Sequence, residues 1–281
     1  MMKKSLILLL TSLLALTGCG EYSTVLKSQD VEYKYEVAKA CYVRGQYAHA
    51  SDLFAELLTA MKGTAYADEC LYMLAMSAYM DGDLESASDF FRKYYTSYPR
   101  GVYAEYARYY SGRALYESVP DPRLDQTATR MAIEELQRFI DFAPGSQLKD
   151  QTQEMIQRLQ DHLIEKEYLN AKLYYDLGGY VINSLIYGSN YEACIVTSEN
   201  ALRDYPYASA QWREQFSILI LRSKYFLARQ SVEEKRLDRY RETVDEYYAF
   251  VNDFPESKFL KEAQGYFTKS QRALKGQPEE D

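Results

Sequence analysis

Histidine is scarce in this chain of 281 residues: only His49 and His162 occur, and they fall in separate helical stretches. No nucleophile motif, Gly-rich phosphate loop or metal-ligand cluster accompanies them. Carboxylate pairs such as Glu134-Glu135 and Glu233-Glu234 read as solvated helix faces. The expectation is therefore a protein that is not an enzyme and that carries no metal and no cofactor. Cysteine is sparse too. Beyond Cys19 there are Cys41, Cys70 and Cys194, an odd number at spacings that suit no zinc motif. Each sits in a helical pattern among Ala, Leu and Tyr, where a buried free thiol acts as a small hydrophobe. Tryptophan occurs once, at Trp212. No basic cluster exists, and 33 Lys and Arg face 41 Asp and Glu for a net charge of −8. That argues against nucleic acid, since phosphate binding needs Lys and Arg. No stretch after the first twenty residues reaches the 18 apolar residues of a membrane span. No strand pattern stands out.

What is present begins at the N-terminus. Met1-Met2-Lys3-Lys4 is a short basic region, and Leu6–Leu16 is an apolar run too short for a comfortable membrane span. Leu16-Thr17-Gly18-Cys19 follows. It resembles the lipobox of bacterial lipoproteins, which implies cleavage after residue 18 and acylation, palmitate included, of Cys19. Several acyl chains anchor stably, at about 0.8 kcal/mol per buried CH2. The alternative is an ordinary secretory signal with an incidental Cys. The expected layout is a signal peptide over 1–18, a polar lipid-anchored tether over 19–29, helical repeats over 30–146 and 147–275, and a disordered tail over 276–281.

Apolar periodicity of helix type starts near Asp30, a candidate N-cap. Tyr35–Arg44 and Tyr47–Leu58 read as one helix pair, with Gly45-Gln46 as the turn. Leu71, Leu74, Ala75 and Ala78 form an i, i+3, i+4, i+7 stripe. Asp81-Gly82-Asp83 breaks it, Ala87-x3-Phe91 resumes it, and Pro99 ends it. Tyr106–Tyr116 and the helix carrying Ala132-x3-Leu136 make a third pair, separated by a loop, Ser118–Gln126, that holds Pro120 and Pro122. Gln147–Leu163, then Tyr168–Tyr187 with a bend at Gly178-Gly179, then a turn at Gly188-Ser189-Asn190 and a helix over Tyr191–Tyr205 come next. Ser209–Arg229 and Leu237–Phe254 form the last pair, joined by the polar stretch Gln230–Arg236. Ser257–Leu274 is a final helix suited to cap the stack. Tyr98-Pro99, Ala143-Pro144, Tyr205-Pro206 and Phe254-Pro255 repeat as unit endings.

One period is sharp. Tyr35, Tyr72 and Tyr109 are 37 apart, and so are Tyr42, Tyr79 and Tyr116. Ala38, Ala75 and Gly112 keep the same step, as do Lys39, Met76 and Arg113. Within each unit the two tyrosines lie seven residues apart, about 10.5 Å along one helix face. Such a ladder suits a groove for an extended or helical peptide, because tyrosine offers large contact area at low entropy cost. The candidate groove residues are Tyr35, Lys39, Tyr42, Tyr72, Met76, Tyr79, Tyr109, Arg113 and Tyr116. The competing reading is that the rings pack between adjacent units and that Lys39 and Arg113 are solvated charges.

The 37-residue step and the Leu-x3-Ala, Tyr, Ala-x3-Phe, Pro pattern of residues 66–99 resemble the tetratricopeptide repeat. That resemblance implies an all-α right-handed superhelix of about five helix pairs plus a C-terminal capping helix, with the first helices lining a concave surface. Combined with the lipobox, the repeats from Tyr35 on, Asn200–Pro206 and Phe254-Pro255-Glu256-Ser257, the chain is similar to the BamD family of outer-membrane β-barrel assembly lipoproteins. The resemblance implies a lipid-anchored position on the periplasmic side of the outer membrane. It implies N-terminal repeats that meet C-terminal targeting segments of unfolded outer-membrane proteins, and C-terminal repeats, around Tyr168–Phe254, that hold the periplasmic domains of a barrel-shaped insertase. An outer-membrane glycan-binding lipoprotein or a cell-envelope scaffold with such repeats is the rival. The first would need long inserted loops and several tryptophans.

Overall fold

The computed structural model describes residues 22–179 and 189–278. Every regular element among them is a helix. A short helix, α1, spans residues 22–27. It is followed by α2 (Val31–Val43), α3 (Tyr47–Ala60), α4 (Ala67–Asp81), α5 (Leu84–Ser97), α6 (Ala104–Glu117), α7 (Thr127–Phe142) and α8 (Lys149–Asp176). After the gap come α9 (Asn190–Asp204), α10 (Ala210–Arg229), α11 (Glu233–Asp253) and α12 (Leu260–Leu274). From α2 to α11 they alternate as first and second helices of pairs, and α12 follows the last pair. The chain divides into two compact units. One runs to Pro120 and takes up Gln126–Ile156; the other is Asp121–Asp125 with the chain from Gln157 on. The signal peptide, the Cys19 anchor, residues 180–188 of the expected aromatic helix and turn, and the last three residues of the tail lie outside the described residues.

Local chemistry fixes the ends. Asp30 accepts from the Tyr33 amide and Asp83 from that of Ser86, which satisfies amides left open at helix starts. Gly82 closes α4 at φ +87°, a left-handed position that favours glycine. The second helices α5, α7, α9 and α11 stop alike. Tyr98, Ala143, Tyr205 and Phe254 take φ between −131° and −120° and ψ between 64° and 67°. A proline follows each and excludes the helical region at the residue before it. Each of the four carbonyls then accepts from the amide three residues on, closing a turn with proline in its second place.

In the first unit, α2 to α7 pack each on the next. The closest approaches use small residues. Ala38, Ala75, Ala50, Ala87 and Ala132 are fully buried, and Phe54, Phe91 and Leu136 fill the space beside them. At Gly112 the neighbour is so near that an added Cβ would sit 2.7 Å from Leu136 Cδ2 and 3.2 Å from its backbone nitrogen. One buried carboxylate inside the unit is fully paired. Glu135, which is 2% exposed, accepts from Tyr95 at 2.6 Å, Ser111 at 3.0 Å and Arg138 at 2.8 Å.

Three expectations change. Residues 22–27 are not a free tether. Tyr22, Val25 and Leu26 have i, i+3, i+4 spacing, and Val25 is buried. Tyr22 stacks on His49 at 3.9 Å, and Lys34 donates to the Leu26 carbonyl at 2.8 Å. Second, α8 continues without a break through 163–168, because Ile164-Glu165-Lys166-Glu167 offers no glycine or proline to stop it. It ends at Asp176, just before the Gly178-Gly179 interruption, and the Tyr191 ring lies where a Gly178 Cβ would be. Third, α11 starts at Glu233 rather than Leu237, since two glutamates in its first turn suit the positive end of a helix. Cys41, Cys70 and Cys194 are buried free thiols, as their surroundings in the sequence led us to expect.

Candidate functional site

The tyrosine ladder lies on the first helices α2, α4 and α6 of the first unit. Its two rungs have different surroundings. In the upper rung, Tyr35 is 4% and Tyr109 2% exposed. Tyr35 meets Phe54 at 6.2 Å, Tyr72 meets Phe91 at 5.8 Å and Tyr109 meets Phe139 at 5.6 Å, all edge-on. Each ring thus packs on an aromatic of its own pair's second helix, an arrangement worth about 0.5–1.5 kcal/mol beyond area burial. Tyr35 and Tyr109 are packing residues, and we withdraw them from the groove because a partner has no access to them. Tyr72 is intermediate: half-buried, it stacks on Tyr103 at 4.3 Å and 10°. Burial raises its phenol well above the ordinary value.

The lower rung is partly exposed throughout. Tyr42, Tyr79 and Tyr116 are half-buried. Tyr42 lies edge-on to Tyr47 at 5.5 Å, and Tyr79 to Tyr110 at 5.3 Å. Met76 is half-buried against the apolar cluster of α4 to α6. Lys39 lies 5.1 Å over the Tyr35 ring and 3.8 Å from Glu36. Arg113 is tied to the rung: its guanidinium lies 5.8 Å from the Tyr79 ring and 5.9 Å from that of Tyr110. Its Nε donates to Glu117 Oε1 at 2.9 Å, and the Tyr79 hydroxyl donates to the same oxygen at 2.7 Å. Partial burial works against the charge on Arg113. The bond to Glu117 and the nearby tyrosine hydroxyls outweigh it and hold the guanidinium protonated. Burial first, then the bond to Glu117, raises the Tyr79 phenol.

The resulting surface is aromatic, with hydroxyl donors, one thioether and one positioned guanidinium. It offers aromatic contact area and hydrogen-bonding capacity. Among the described residues no set of three His, Cys, Asp or Glu side chains is grouped to hold a metal.

The sequence reading missed Tyr66, Tyr103, Tyr110 and Glu117. Tyr66 and Tyr103 are 37 apart, the same step as the ladders. They precede α4 and α6, and each leans on the upper-rung tyrosine of the preceding pair, Tyr66 on Tyr35 at 5.6 Å and Tyr103 on Tyr72. Their period was legible. Tyr110 and Glu117 have no aromatic or acidic counterpart one step earlier, where Met73 and Met80 stand, so no periodic signal marked them.

The second unit has its own pair seven apart on α8. Tyr168 lies 5.6 Å from both Trp212 and Phe216, and Tyr175 lies 5.8 Å from Tyr191. Arg222 holds both oxygens of Glu262 at 2.7 and 2.8 Å. A cavity of about 540 Å³ in the first unit, lined by Tyr22, Val25, Val37, Cys41, Arg44 and His49 among others, contains no ladder residue.

Residues 27–186, more than half of the chain, match the model of a family described as YfiO, outer membrane lipoprotein. No curated protein matches the chain significantly.

Proposed function

The chain belongs to the YfiO family of outer membrane lipoproteins, and from that premise we propose that it is a non-catalytic, BamD-type component of the outer-membrane protein assembly machinery. It is anchored through acylated Cys19 on the periplasmic side of the outer membrane. No helix among the described residues is long and apolar enough to cross a membrane, which fits a lipid anchor. The helix pairs are tetratricopeptide repeats. Those of the first unit hold segments of unfolded outer-membrane proteins, and those around Tyr168–Phe254 hold the periplasmic domains of a barrel-shaped insertase.

The observation that carries this reading is the lower rung. Tyr42, Tyr79 and Tyr116 recur at one position of three consecutive first helices and are all partly exposed, whereas Tyr35 and Tyr109 of the upper rung are packed away. Depletion of the protein is expected to leave unfolded outer-membrane proteins in the periplasm. Affinity purification of the membrane-extracted protein should recover a barrel-shaped insertase. Recovery of glycan-uptake components alone would sink the proposal.

A further inference from the structure

The lower rung already holds a carboxylate. Tyr79 on α4 and Arg113 on α6 donate to one oxygen of Glu117, so two donors from neighbouring helices converge on a single point. An i,i+4 ion pair alone is an ordinary helix feature and a weak one. Two further observations distinguish this one. The second donor comes from a different helix pair, and the guanidinium lies within 6 Å of two rings, 5.8 Å from Tyr79 and 5.9 Å from Tyr110. The occupant is also easily released. Arg113 and Glu117 side chains are each 34% exposed, so Glu117 can turn to water without leaving a buried charge behind.

We propose that Tyr79 and Arg113 form a carboxylate receptor, and that Glu117 is its intrachain occupant, displaced by a carboxylate of the bound segment. The proposal rests on the reading of the lower rung as a peptide-binding surface. An incoming carboxylate inherits both donors, and the segment's apolar side chains lie along Tyr42, Met76 and Tyr79. Glu117 then acts as a selectivity element. A neutral segment gains nothing from displacing it, whereas a segment ending in, or carrying, a carboxylate competes with it directly. A chain terminus and an Asp or Glu side chain share this chemistry.

The test is binding of a short labelled apolar peptide to the full mature chain, in forms that differ only in the carboxylate. One is amidated and neutral, one is amidated with a single Glu, and one has a free C-terminus. Glu117→Ala should tighten the carboxylate forms by about tenfold, equivalent to about 1.4 kcal/mol, and leave the neutral form unchanged. Whichever carboxylate form gains more identifies the source. Arg113→Gln should abolish the preference. Should that variant unfold, Tyr79→Phe removes one donor at the cost of a single hydroxyl. Glu85→Ala, the same charge change on an exposed part of α5, controls for net charge. The exchange is overturned, with the peptide surface intact, if Glu117→Ala leaves the carboxylate forms unchanged, tightens all forms alike, or is matched by Glu85→Ala. Absence of binding by every form to every variant overturns the peptide surface itself, and the exchange with it.

Discussion

Replacing one tyrosine from each rung separates packing from binding. Tyr109 is 2% exposed and meets Tyr110 at 5.2 Å and Phe139 at 5.6 Å. Truncation to Ala deletes a ring from a closed site, and large aromatic-to-Ala changes cost about 3–5 kcal/mol. At about 2–4 °C per kcal/mol for a chain of this size, Tyr109→Ala should lower the Tm of the first unit by about 10 °C. Tyr79 is half-buried. Full burial of a large apolar side chain is worth about 1.5–3 kcal/mol, so a half-buried ring contributes about 1.5 kcal/mol. Its bond to Glu117 is exposed and adds about 0.5 kcal/mol. Tyr79→Ala should therefore cost about 2 kcal/mol, roughly half of the upper-rung loss. In binding the order reverses. A buried aromatic anchor at an interface is worth about 2 kcal/mol or more, a loss of about thirtyfold. The assay is urea unfolding followed by circular dichroism, beside peptide binding measured on the same preparations. The Tyr42→Ala, Tyr79→Ala, Tyr116→Ala triple variant should lose binding at temperatures where its helices are intact. If binding and fold disappear together, the lower rung is packing too. If Tyr109→Ala costs less than about 1 kcal/mol, the assignment of the upper rung is wrong.

Two glycines in helix interiors should respond with opposite sign. Gly265→Ala meets nothing within 4 Å and should stabilise α12 by about 1 kcal/mol. Gly112→Ala gains the same propensity but drives a methyl group into Leu136, and overpacking of about 1–3 kcal/mol should leave a net loss in thermal unfolding. Acid should weaken the second unit through Glu262. Its bonds from Arg222 hold the carboxyl below its ordinary value. The stability it contributes is thus full above the unfolded value of about 4.3 and is lost as pH falls through the lowered one. Glu262→Gln should flatten that part of the urea midpoint against pH. Burial pushes the Cys70 thiol up to about 12, and Cys41 and Cys194 are raised by burial as well. None of the three should react with a maleimide at neutral pH until urea is added, and fast labelling of the native protein would contradict their burial.

Much of the fold was legible because its signals are local. Proline after α5, α7, α9 and α11 forces the preceding residue out of the helical region, and that single rule set four identical stops. Gly82 and the caps Asp30 and Asp83 marked turns by the backbone angles and amide partners they supply. The misjudged stretches had weak local signals. Residues 22–27 looked polar because only three of them face the body of the unit. Glu233–Arg236 looked like a linker because a charged first turn lacks an apolar stripe.

The sequence by itself determined the helix pairs, their 37-residue step and the two tyrosine rungs. It could not say which rung is core. Residues seven apart lie on nearly the same face of a helix, so periodicity treats Tyr35 and Tyr42, or Tyr109 and Tyr116, as equivalent. Tertiary structure decided the matter by position along the helix. The upper rung sits against the aromatics of the second helices, and Tyr66 and Tyr103, entering the next pair, lean over Tyr35 and Tyr72. One turn pair further on, Tyr42 and Tyr79 lie edge-on to Tyr47 and Tyr110, and all three rings of the lower rung stay half-buried.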